Sequence, residues 1–295
     1  MMDGFLIINK SSGMNSYHVI KGLKRISQFK KIGYIGTLDR NATGILPVAL
    51  NEGVKLIPFL ENGEKRYVAR FVLGITTDTF DLEGKRLTEV EPPVYESKVV
   101  EEALASFKGK IQQKVPIYSS KKVDGKPLYK WLKKGVVMET PYKEVEVHDI
   151  KFISYTHPYI DAEITCSKGT YIRVIAQDLG SMLGCGAALH SLQRTRHGEF
   201  TLEQSIPLES LKTEQDIVKY LLSLQDVLKG FRKVTIDSNL ERFLRNGMPV
   251  PLLDSFKEFR NGDYTKLVSP NGTLIGVGKV DAVTKTVRIK RLINS

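Results

Sequence analysis

The spacing of apolar residues predicts a strand and then a helix at the start of the chain. Residues 5–9 (FLIIN) form a short apolar run that is typical of a buried strand. Residues 17–29 place apolar side chains at helical spacing and basic side chains on the other face, with Ser16 before them as a candidate N-cap. Residues 66–74 alternate and are rich in β-forming residues, which predicts a second strand.

Helices and strands continue through the middle of the chain. In chain order the predicted elements are a helix at 97–107, strands at 145–155 and 159–165, and helices at about 171–183 and 216–228. Thr170 and Gly184 are placed to cap the start and the end of the second of these three helices. No internal repeat interrupts this mixed pattern.

The sequence changes character after Gly230. Short strand-like segments there alternate with Asn-Gly turns, and one short helix is predicted at residues 239–246. We place a domain boundary near residues 229–232. Because 295 residues suffice for two domains, we expect a larger domain at 1–230 and a small β-barrel-like domain at 231–295.

Basic residues are in excess and are concentrated in three segments. The formal net charge is +11 and the pI is about 9.4. Residues 21–31 carry five basic residues and no acid, residues 108–134 carry nine lysines against Asp124, and residues 279–291 carry five basic residues against Asp281. This distribution favours a polyanionic partner, either a nucleic acid or an anionic membrane surface. Each run alone is also consistent with a solvated protein face.

The sequence patterns of several common sites are absent. The five histidines show no HxH or HExxH spacing, and there is no Walker A sequence, no GxGxxG after a strand and no GxSxG. Residues 78–84 (DTFDLEG) are similar to the start of a calcium loop but lack the later glutamate, so turn-capping aspartates explain them better. The sequence indicates neither a metal nor a cofactor.

The cysteines and the hydrophobic runs bear on the compartment. Cys166 and Cys185 form neither a CxxC pair nor a zinc-finger spacing, so we interpret them as buried thiols of a reducing compartment. The N-terminal apolar run is shorter than the hydrophobic region of a secretory signal, and no stretch reaches the length of a membrane span. We therefore expect a cytoplasmic protein without a membrane partner.

Two features carry candidate chemistry. In the lysine-rich middle segment, Tyr118, Tyr129 and Trp131 are interleaved with the lysines. Lysines neutralise phosphates and aromatic faces stack on unpaired bases, although core aromatics beneath a charged surface would give the same pattern. The second feature is Asp39 in the loop GTLDRNATG. A lone aspartate in a turn is usually a cap, so the local pattern does not assign it a role.

Five motifs, in order, resemble those of the TruB family of pseudouridine synthases. GTLDRNATGILPVAL resembles the family's active-site loop, G-x-L-D-x-x-A-x-G-x-L, and NKSSGMNS resembles its opening loop. KRYVARFVLGITTDTFDLEG resembles the motif with the active-site tyrosine, VPIYSSKKVDGKPLYKWLKKG the thumb segment, and CSKGTYIRVIAQDLGSMLGCGAALHSLQRT the arginine motif. NGMPV and GTLIGVGKV are similar to parts of a PUA domain. The resemblance covers nearly the whole chain.

This resemblance implies both a fold and a reaction. The fold is α+β, with a pseudouridine synthase catalytic domain of mixed, mainly antiparallel sheet and flanking helices, followed by a small β-barrel-like PUA domain. The reaction is the isomerisation of uridine 55 in the T-loop of tRNA to pseudouridine, an intramolecular transfer that needs no cofactor and no metal. The partner is then tRNA, bound through its T-arm and acceptor stem by a monomer that uses no guide RNA.

The resemblance also assigns the catalytic and base-binding residues. Asp39 matches the nucleophile, and Arg173 matches the arginine that pairs with it, which would keep the carboxylate charged through a bidentate contact. Tyr67 matches the tyrosine that stacks on the target base and that can move a proton. Tyr171 and Leu192 match residues that contact the flipped uracil, the first by a polar contact and the second by apolar packing.

Further residues are assigned to RNA binding. Lys10 matches a basic residue of the opening loop, where it would support the loop or contact the RNA backbone. The thumb segment, at about 108–140, would clamp the RNA backbone, and the lysines assigned to this role are Lys121, Lys122, Lys133 and Lys134.

Two positions depart from the family pattern near the nucleophile. Tyr34 stands where the family usually has the histidine that helps hold the flipped-loop geometry, and Arg40 stands where a proline usually follows the nucleophile. NKSSG also replaces the usual D-K-P-x-G. These departures bear on affinity for the RNA loop and on catalytic speed more than on the type of reaction.

Two other interpretations remain at this stage. The chain is alternatively a tRNA-binding chaperone that folds tRNA in the same cleft with weak or lost catalysis, which Tyr34 and Arg40 motivate. A third interpretation is the archaeal and eukaryotic relative that works inside a guide-RNA particle. The compact chain with an intact thumb segment favours the standalone enzyme.

Overall fold

The computed structural model describes residues 2–119, 121–123, 125–128, 131, 139–252 and 258–294. The helices with described bounds are Ser16–Ile26 (α1), Ile57–Leu60 (α2), Ser97–Ala105 (α3), Ile172–Met182 (α4), Glu214–Tyr220 (α5) and Ser238–Arg245 (α6). Short 3-10 turns occupy Asn51–Leu56, Leu202–Gln204, Leu208–Ser210 and Asp226–Leu228.

Most strands of the chain belong to two sheets. The strands of the first part are Gly4–Lys10 (β1), Ile32–Tyr34 (β2), Thr43–Leu50 (β3), Lys65–Leu73 (β4), Ile75–Thr77 (β5), Arg86–Glu89 (β6), Gly109–Lys114 (β7), Lys122–Val123 (β8), Lys126–Pro127 (β9), Tyr142–Thr156 (β10), Tyr159–Cys166 (β11), Ala187–His197 (β12), Phe200–Thr201 (β13) and Ile206–Pro207 (β14). The last part adds Lys233–Thr235 (β15), Val250–Pro251 (β16), Tyr264–Val268 (β17), Leu274–Asp281 (β18) and Thr286–Leu292 (β19).

The larger sheet has ten strands and is mainly antiparallel. Its order is β14-β1-β3-β12-β4-β11-β10-β7, with β13 paired to β12 and β2 paired to β3. Only two of its pairs are parallel, β1 with β14 and β3 with β12. The mixed, mainly antiparallel sheet expected from the resemblance is thus confirmed. The parallel β3–β12 pair lies at the centre, and the two strands that it joins both lead to the candidate site.

The helices cover the sheet because their apolar faces match its buried positions. Strand β1 is buried on both faces: Leu6 and Ile8 pack with α1, while Phe5 and Ile7 pack with the end of the chain. Helices α3 and α4 cover the opposite half of the sheet, where α4 packs on β4, β11 and β12. Burial on both faces explains why β1 is a continuous apolar run rather than an alternating one.

Helix α1 begins and ends differently from its prediction. Its N-cap is Asn15, whose side chain accepts from the His18 amide, and Ser16 is the first helical residue. The helix ends at Ile26 because Ser27 is extended. Ser16 is buried, and its hydroxyl bonds the backbone of Leu38, so a tertiary contact replaces the predicted cap.

The helix predicted at 216–228 is much shorter than expected. It begins after Thr213, which forms a capping box with Asp216, and it ends at Tyr220. Leu222 then exchanges backbone hydrogen bonds of 2.8 and 2.9 Å with Phe5. This bridge to β1 holds the backbone extended where helical spacing continues in the sequence.

The last part of the chain forms a separate, curled five-stranded sheet. Its order is β15-β17-β18-β19-β16, and α6 packs against it in a small core of its own. The sheet begins at β15, next to the boundary predicted near 229–232. A second core joins this module to the large sheet, with Leu228 and Phe5 packed in one cluster with Val277. In the described part of the chain, no helix is both long enough and apolar enough to cross a membrane.

Candidate active site

The loop that carries Asp39 is fixed from both sides. Before Asp39, the Ser16 hydroxyl accepts from the Leu38 amide at 3.0 Å and donates to the Leu38 carbonyl at 3.3 Å. After it, the Ala42 amide donates to the Asp39 carbonyl at 3.2 Å, which closes a turn. Gly44 then starts the path into β3 with φ +97°, a conformation that favours glycine. The Asp39 carboxylate is half exposed and points into a cavity.

This cavity gathers residues from distant parts of the sequence. It has a volume of about 450 Å³, and strand β4, helix α4 and strand β12 form its walls together with the Asp39 loop. The sequence-predicted residues that line it are Asp39, Tyr67, Tyr171, Arg173 and Leu192. The sheet register places Tyr67 on β4 directly opposite Arg194 on β12, so the two central strands meet at its floor.

Arg173 lies buried near Asp39, and the contact is looser than the bidentate pair that the resemblance implies. Its Nε is 3.9 Å from Asp39 Oδ2, whereas its Nη2 donates to the Tyr118 carbonyl at 2.6 Å. Nε is a buried atom without a hydrogen-bond acceptor in the described structure. The expected bidentate hydrogen bond is therefore not formed, because the guanidinium is shared with other acceptors.

A second carboxylate, Asp81, was not identified from the sequence. Its Oδ2 lies 3.8 Å from Arg173 Nη1, and its side chain is more buried than that of Asp39. Its Oδ1 accepts from the Thr79 hydroxyl at 2.6 Å and from the Glu83 amide at 3.1 Å. The turn-cap interpretation of DTFDLEG was correct for one oxygen, and nothing in the spacing showed that the other would face Arg173.

Tyr67 is a buried phenol at the floor of the cavity. It is 7% exposed, and burial raises its pKa to about 12. The hydroxyl is therefore protonated at neutral pH and can donate a hydrogen bond to a ligand.

Tyr171 and Leu192 complete the wall around this floor. Tyr171, rather than Thr170, is the N-cap residue of α4, and its backbone makes two hydrogen bonds with the Gln113 side chain. Its ring lies 5.8 Å from the Arg173 guanidinium. Leu192 is half-buried on β12 and adds an apolar surface. The cavity thus offers rings and an apolar side chain beside one carboxylate, which suits a planar, polar base.

Lys10 and Tyr34 do not line the cavity. Lys10 is fully buried, and its Nζ donates to the carbonyls of Ser11, Met14 and Arg40 at 3.0, 2.7 and 3.0 Å. It ties the opening loop to the Asp39 loop and, with no exposed surface, does not reach RNA in this conformation. Burial lowers its pKa to about 8. Tyr34 is half-buried on β2, paired with Val48 in the core around α1.

Arg40 makes its own link where the family usually has proline. Its Nε donates to the Gly13 carbonyl at 3.0 Å, while its own carbonyl accepts from Lys10. A side-chain hydrogen bond thus joins this loop to the opening loop, in place of the restraint that a proline ring would impose.

The structure describes only part of the thumb segment. Lys121 is exposed, Lys122 starts the short strand β8, and Lys133 and Lys134 lie outside the described residues, as does Tyr129. Trp131 donates from Nε1 to the Val123 carbonyl at 3.1 Å. The hydroxyl of Tyr118 lies 3.3 Å from Asp78 Oδ2.

The described residues contain no group of His, Cys, Asp and Glu side chains that could hold a metal ion. Asp78 and Asp81 instead cap their own turn, in which Asp78 accepts from the Lys85 amide at 2.8 Å. Both cysteines are free thiols; Cys166 is buried as expected, but Cys185 is only half-buried.

Two family models match the chain. The model described as the TruB family pseudouridylate synthase N-terminal domain matches residues 24–172. The model described as the tRNA pseudouridylate synthase B C-terminal domain matches residues 173–236. The second match ends near the start of the curled sheet, so the assignment of that sheet to a PUA domain stays a prediction.

Curated relatives are similar to the chain over nearly its whole length. The tRNA pseudouridine synthase B of Syntrophus aciditrophicus (strain SB) is 39% identical over 286 residues, which cover 94% of this chain and 91% of that protein. The tRNA pseudouridine synthase B of Clostridium novyi (strain NT) is 37% identical over 298 residues, which cover 99% of this chain and 100% of that protein.

Solved structures share the fold at low sequence identity. One is the structure of an H/ACA RNP bound to a substrate RNA containing 2'-deoxyuridine, in which one chain matches with a TM-score of 0.75 and 21% identity. The match covers 100% of this chain and 86% of that chain. The other is a Cbf5-Nop10-Gar1 complex, in which one chain matches with a TM-score of 0.75 and 22% identity. The match covers 99% of this chain and 85% of that chain. At this identity the likeness establishes the fold alone.

Proposed function

The chain belongs to the TruB family of pseudouridine synthases, and we propose that it converts uridine 55 in the T-loop of tRNA to pseudouridine, with Asp39 as the nucleophile and without a cofactor. Its curated relatives are tRNA pseudouridine synthases, so the isomerase class and tRNA as substrate follow from the family. The position in the tRNA, the aspartate and the absence of a cofactor are the proposal.

The observation that carries the proposal is one carboxylate facing a buried guanidinium in a base-sized cavity. Asp39 lies half exposed at the cavity, 3.9 Å from Arg173, which is almost completely buried. The guanidinium thus places a positive charge beside the Asp39 carboxylate, and opposite charges at this distance attract each other. The arrangement supports an anionic group at the reacting centre of a bound nucleoside.

The reaction breaks one bond and forms another within the same nucleotide. The N1–C1′ bond of the uridine breaks, the uracil turns, and C5 bonds to C1′ while its proton is lost and N1 gains one. Asp39 would attack or stabilise the electron-poor centre that develops, as carboxylates do in glycoside chemistry. Tyr67 would stack on the base, with Tyr171 and Leu192 contacting its edge and face.

The target base must leave its RNA loop to enter the cavity. A base inside a folded loop is stacked, and enzymes that act on such a base extrude it into a pocket. We propose that the lysine-rich thumb clamps the RNA backbone and that the C-terminal module, a PUA-like domain, binds the acceptor stem. The exposed Arg288, Lys290 and Arg291 of β19 supply positive charge for that contact.

We propose a standalone enzyme that acts in the cytoplasm as a monomer without guide RNA. The proteins of similar fold in H/ACA particles share only about a fifth of their residues with this chain, whereas the tRNA pseudouridine synthase B proteins share more than a third. A direct tRNA substrate is therefore better supported than a guided one.

A tRNA-binding chaperone with weak catalysis is the second candidate. The observation that favours it is the altered surroundings of Asp39, where Arg40 bonds to Gly13 and Tyr34 packs in the core. A protein with its loop fixed in this way can bind the RNA while catalysing the reaction only slowly.

The deciding experiment maps pseudouridine in unmodified tRNA incubated with the pure protein. We expect pseudouridine at position 55 without added cofactor or guide RNA, and tritium release from tRNA carrying 5-labelled uridine. A tRNA with cytidine at position 55 is the matched substrate control and should release none. Binding of tRNA with no tritium release at stoichiometric enzyme would favour the chaperone.

The role of the thumb is tested by the salt dependence of tRNA binding. Changing Lys121, Lys122, Lys133 and Lys134 together to Gln should weaken binding and reduce the slope of log K against log salt by up to about 3, because each phosphate contact contributes about 0.7–0.9. Filter binding from low to moderate salt measures it. An unchanged slope would show that these lysines do not contact phosphate.

A further inference from the structure

Two buried cations lie side by side at the floor of the cavity. Lys65 is 6% exposed and Arg194 is fully buried, and both line the cavity. On adjacent strands, Tyr67 stands opposite Arg194 and Lys65 stands opposite His197. Lys65 and Tyr67 are two residues apart on β4, so their side chains leave the same face of the sheet. We call Lys65 and Arg194 the cationic floor.

Neither cation has a carboxylate partner among the residues that the structure describes. Lys65 Nζ donates to the Gly63 carbonyl at 3.1 Å, and Arg194 donates to the Ile45 and Gly36 carbonyls at 2.9 Å each. The two carboxylates near the cavity, Asp39 and Asp81, lie against Arg173, and neither cation forms an ion pair with them.

Among the remaining neighbours, Glu61 acts on Lys65 electrostatically without forming an ion pair with it, and Glu61 is itself paired with the exposed Lys168 at 2.7 Å. Burial, reinforced by Arg194 and Lys65, lowers the pKa of His197 to about 2, so this ring is neutral. Burial also lowers the pKa of Lys65 to about 8, which leaves it mostly charged at pH 7. Buried charges are normally paired, because an unpaired one costs several kcal/mol. The floor therefore favours a ligand that brings negative charge.

The proposed reaction generates such a charge on the base. When the N1–C1′ bond breaks, its electron pair leaves with N1, and the uracil becomes an anion whose charge spreads over N1, O2 and O4. We propose that Lys65 and Arg194 stabilise this detached uracil anion while it turns, an inference that rests on the proposed function. The charge disappears again when C5 bonds to C1′ and the C5 proton is lost and N1 is protonated.

Arg194 also acts through Tyr67. The two residues lie directly opposite each other in the β4–β12 register, and the charge of the guanidinium acts on the phenol. Because a guanidinium can only donate, it leaves the phenol proton free to point into the cavity. Arg194 is thus a positioning residue for Tyr67, and it fixes the Asp39 loop at Gly36 and at Ile45.

The test compares two leaving bases in the same RNA. A T-arm RNA carries either uridine or 5-fluorouridine at the target position, and fluorine makes the uracil a stronger acid and a better leaving group. Under single-turnover conditions, digestion to nucleosides and mass spectrometry follow the loss of the target nucleoside. Lys65→Met should lose about 100-fold in rate on uridine, a usual value for one electrostatic stabiliser, but less than about tenfold on 5-fluorouridine.

Matched variants separate charge from structure. Lys65→Arg keeps the positive charge and should stay within about tenfold of wild type on both RNAs. Lys151→Met removes a lysine from the exposed β10–β11 pair, where it faces Glu163, and controls for a general loss of positive charge. Arg194→Lys keeps the positive charge but loses the several N–H donors of the planar guanidinium. Its rate should also fall more on uridine than on 5-fluorouridine.

The outcomes are distinct. An equal loss on both RNAs in Lys65→Met, with circular dichroism and a melting temperature like wild type, would show a structural role and overturn the inference. A loss below about threefold on uridine would also overturn it. Should Lys65→Met fail to fold, Arg194→Lys provides the same comparison of the two RNAs. If wild type forms no pseudouridine at all, the proposed function itself fails, which is a separate result.

Discussion

At the scale of single residues, the candidate site depends on how charges are shared. Arg173 donates a hydrogen bond of 2.6 Å to the Tyr118 carbonyl, and it faces Asp39 and Asp81 at the longer, nearly equal distances of 3.9 and 3.8 Å. Because Asp39 is half exposed while Asp81 is mostly buried, the first carboxylate remains open to a ligand and the second does not. This asymmetry explains why only one of two similar groups suits a reacting role.

Asp39→Asn should abolish pseudouridine formation and leave tRNA binding within a few-fold of wild type. The amide has the shape of the carboxylate but lacks its charge and its nucleophilicity, which the proposed reaction needs. Tritium release measures turnover, and filter binding measures affinity. Turnover above about one thousandth of wild type in this variant would rule out Asp39 as the nucleophile.

Lys10 should make the free energy of unfolding depend on pH. Burial lowers its pKa in the folded protein from 10.5 to about 8, so between these values the unfolded chain holds a proton that the folded chain has lost. Stability therefore rises with pH across this window, by at most about 1.4 kcal/mol per pH unit from this residue.

Lys10→Met should flatten that slope, although it also lowers stability by leaving three carbonyls without their donor. Urea unfolding at pH 7.5, 8.5 and 9.5 measures the slope for both proteins. Lys65, whose pKa is lowered in the same way, leaves part of the slope in the variant. Equal slopes for wild type and variant would contradict the assignment.

At the scale of elements, the feature that fixes the site is the parallel pairing of β3 with β12 beside the Asp39 loop. Gly44 pairs with Arg194 in a parallel register, and the two backbones approach so closely that a Cβ on Gly44 would lie 2.2 Å from the Arg194 carbonyl oxygen. The loop, Arg194 and therefore Tyr67 depend on this contact. Neither helix propensity nor strand alternation in the sequence predicts this close approach of the two backbones.

Gly44→Ala should lower the free energy of unfolding by about 3 kcal/mol, because strain at positive φ adds to a backbone clash. Gly13→Ala is the matched control: Gly13 also has positive φ but nothing within 4 Å of the added Cβ, so we expect a loss of about 1 kcal/mol. Urea unfolding measures both. Similar losses in the two variants would show that the close approach does not matter.

At the scale of the whole molecule, the C-terminal module shares a core with the large sheet. Val268, Leu274 and Val277 of the module pack in one cluster with Leu224 and Leu228.

Two polar contacts reinforce this core. The Lys55 ammonium donates to the Leu292 carbonyl at 3.0 Å, and the Asn294 amide donates to the Glu52 carboxylate at 2.7 Å. The module is therefore held in a fixed direction from the cavity, as a clamp for one end of a folded RNA would require.

Removal of residues 231–295 should destabilise the remaining domain. Its share of the common core would be exposed to water, and a loss of about 3 kcal/mol corresponds to a melting temperature lower by about 10 °C. Thermal unfolding of the fragment and of the full chain measures the difference. A fragment that melts at the temperature of the full chain would show that the two parts are independent.

Much of the element order could be predicted from the sequence, and the largest miss has a long-range cause. Strand β1, helix α4 and the curled C-terminal sheet appear close to their predicted positions because their apolar spacing is strong. The helix predicted at 216–228 ends at Tyr220, since Leu222 bonds to a strand near the other end of the chain. Such long-range hydrogen bonds leave no local pattern in the sequence.

The sequence by itself determined the family and the order of the motifs, because these depend on residue identity and local spacing, and on the same basis it predicted Asp39, Tyr67 and Arg173 as site residues. Tertiary structure alone decided that Arg173 is shared with Asp81, that Lys10 is buried among carbonyls, and that Lys65 and Arg194 line the cavity beside Tyr67 without an ion pair to any described residue. Charge pairing and burial depend on which strands become neighbours, and that is a property of the folded sheet.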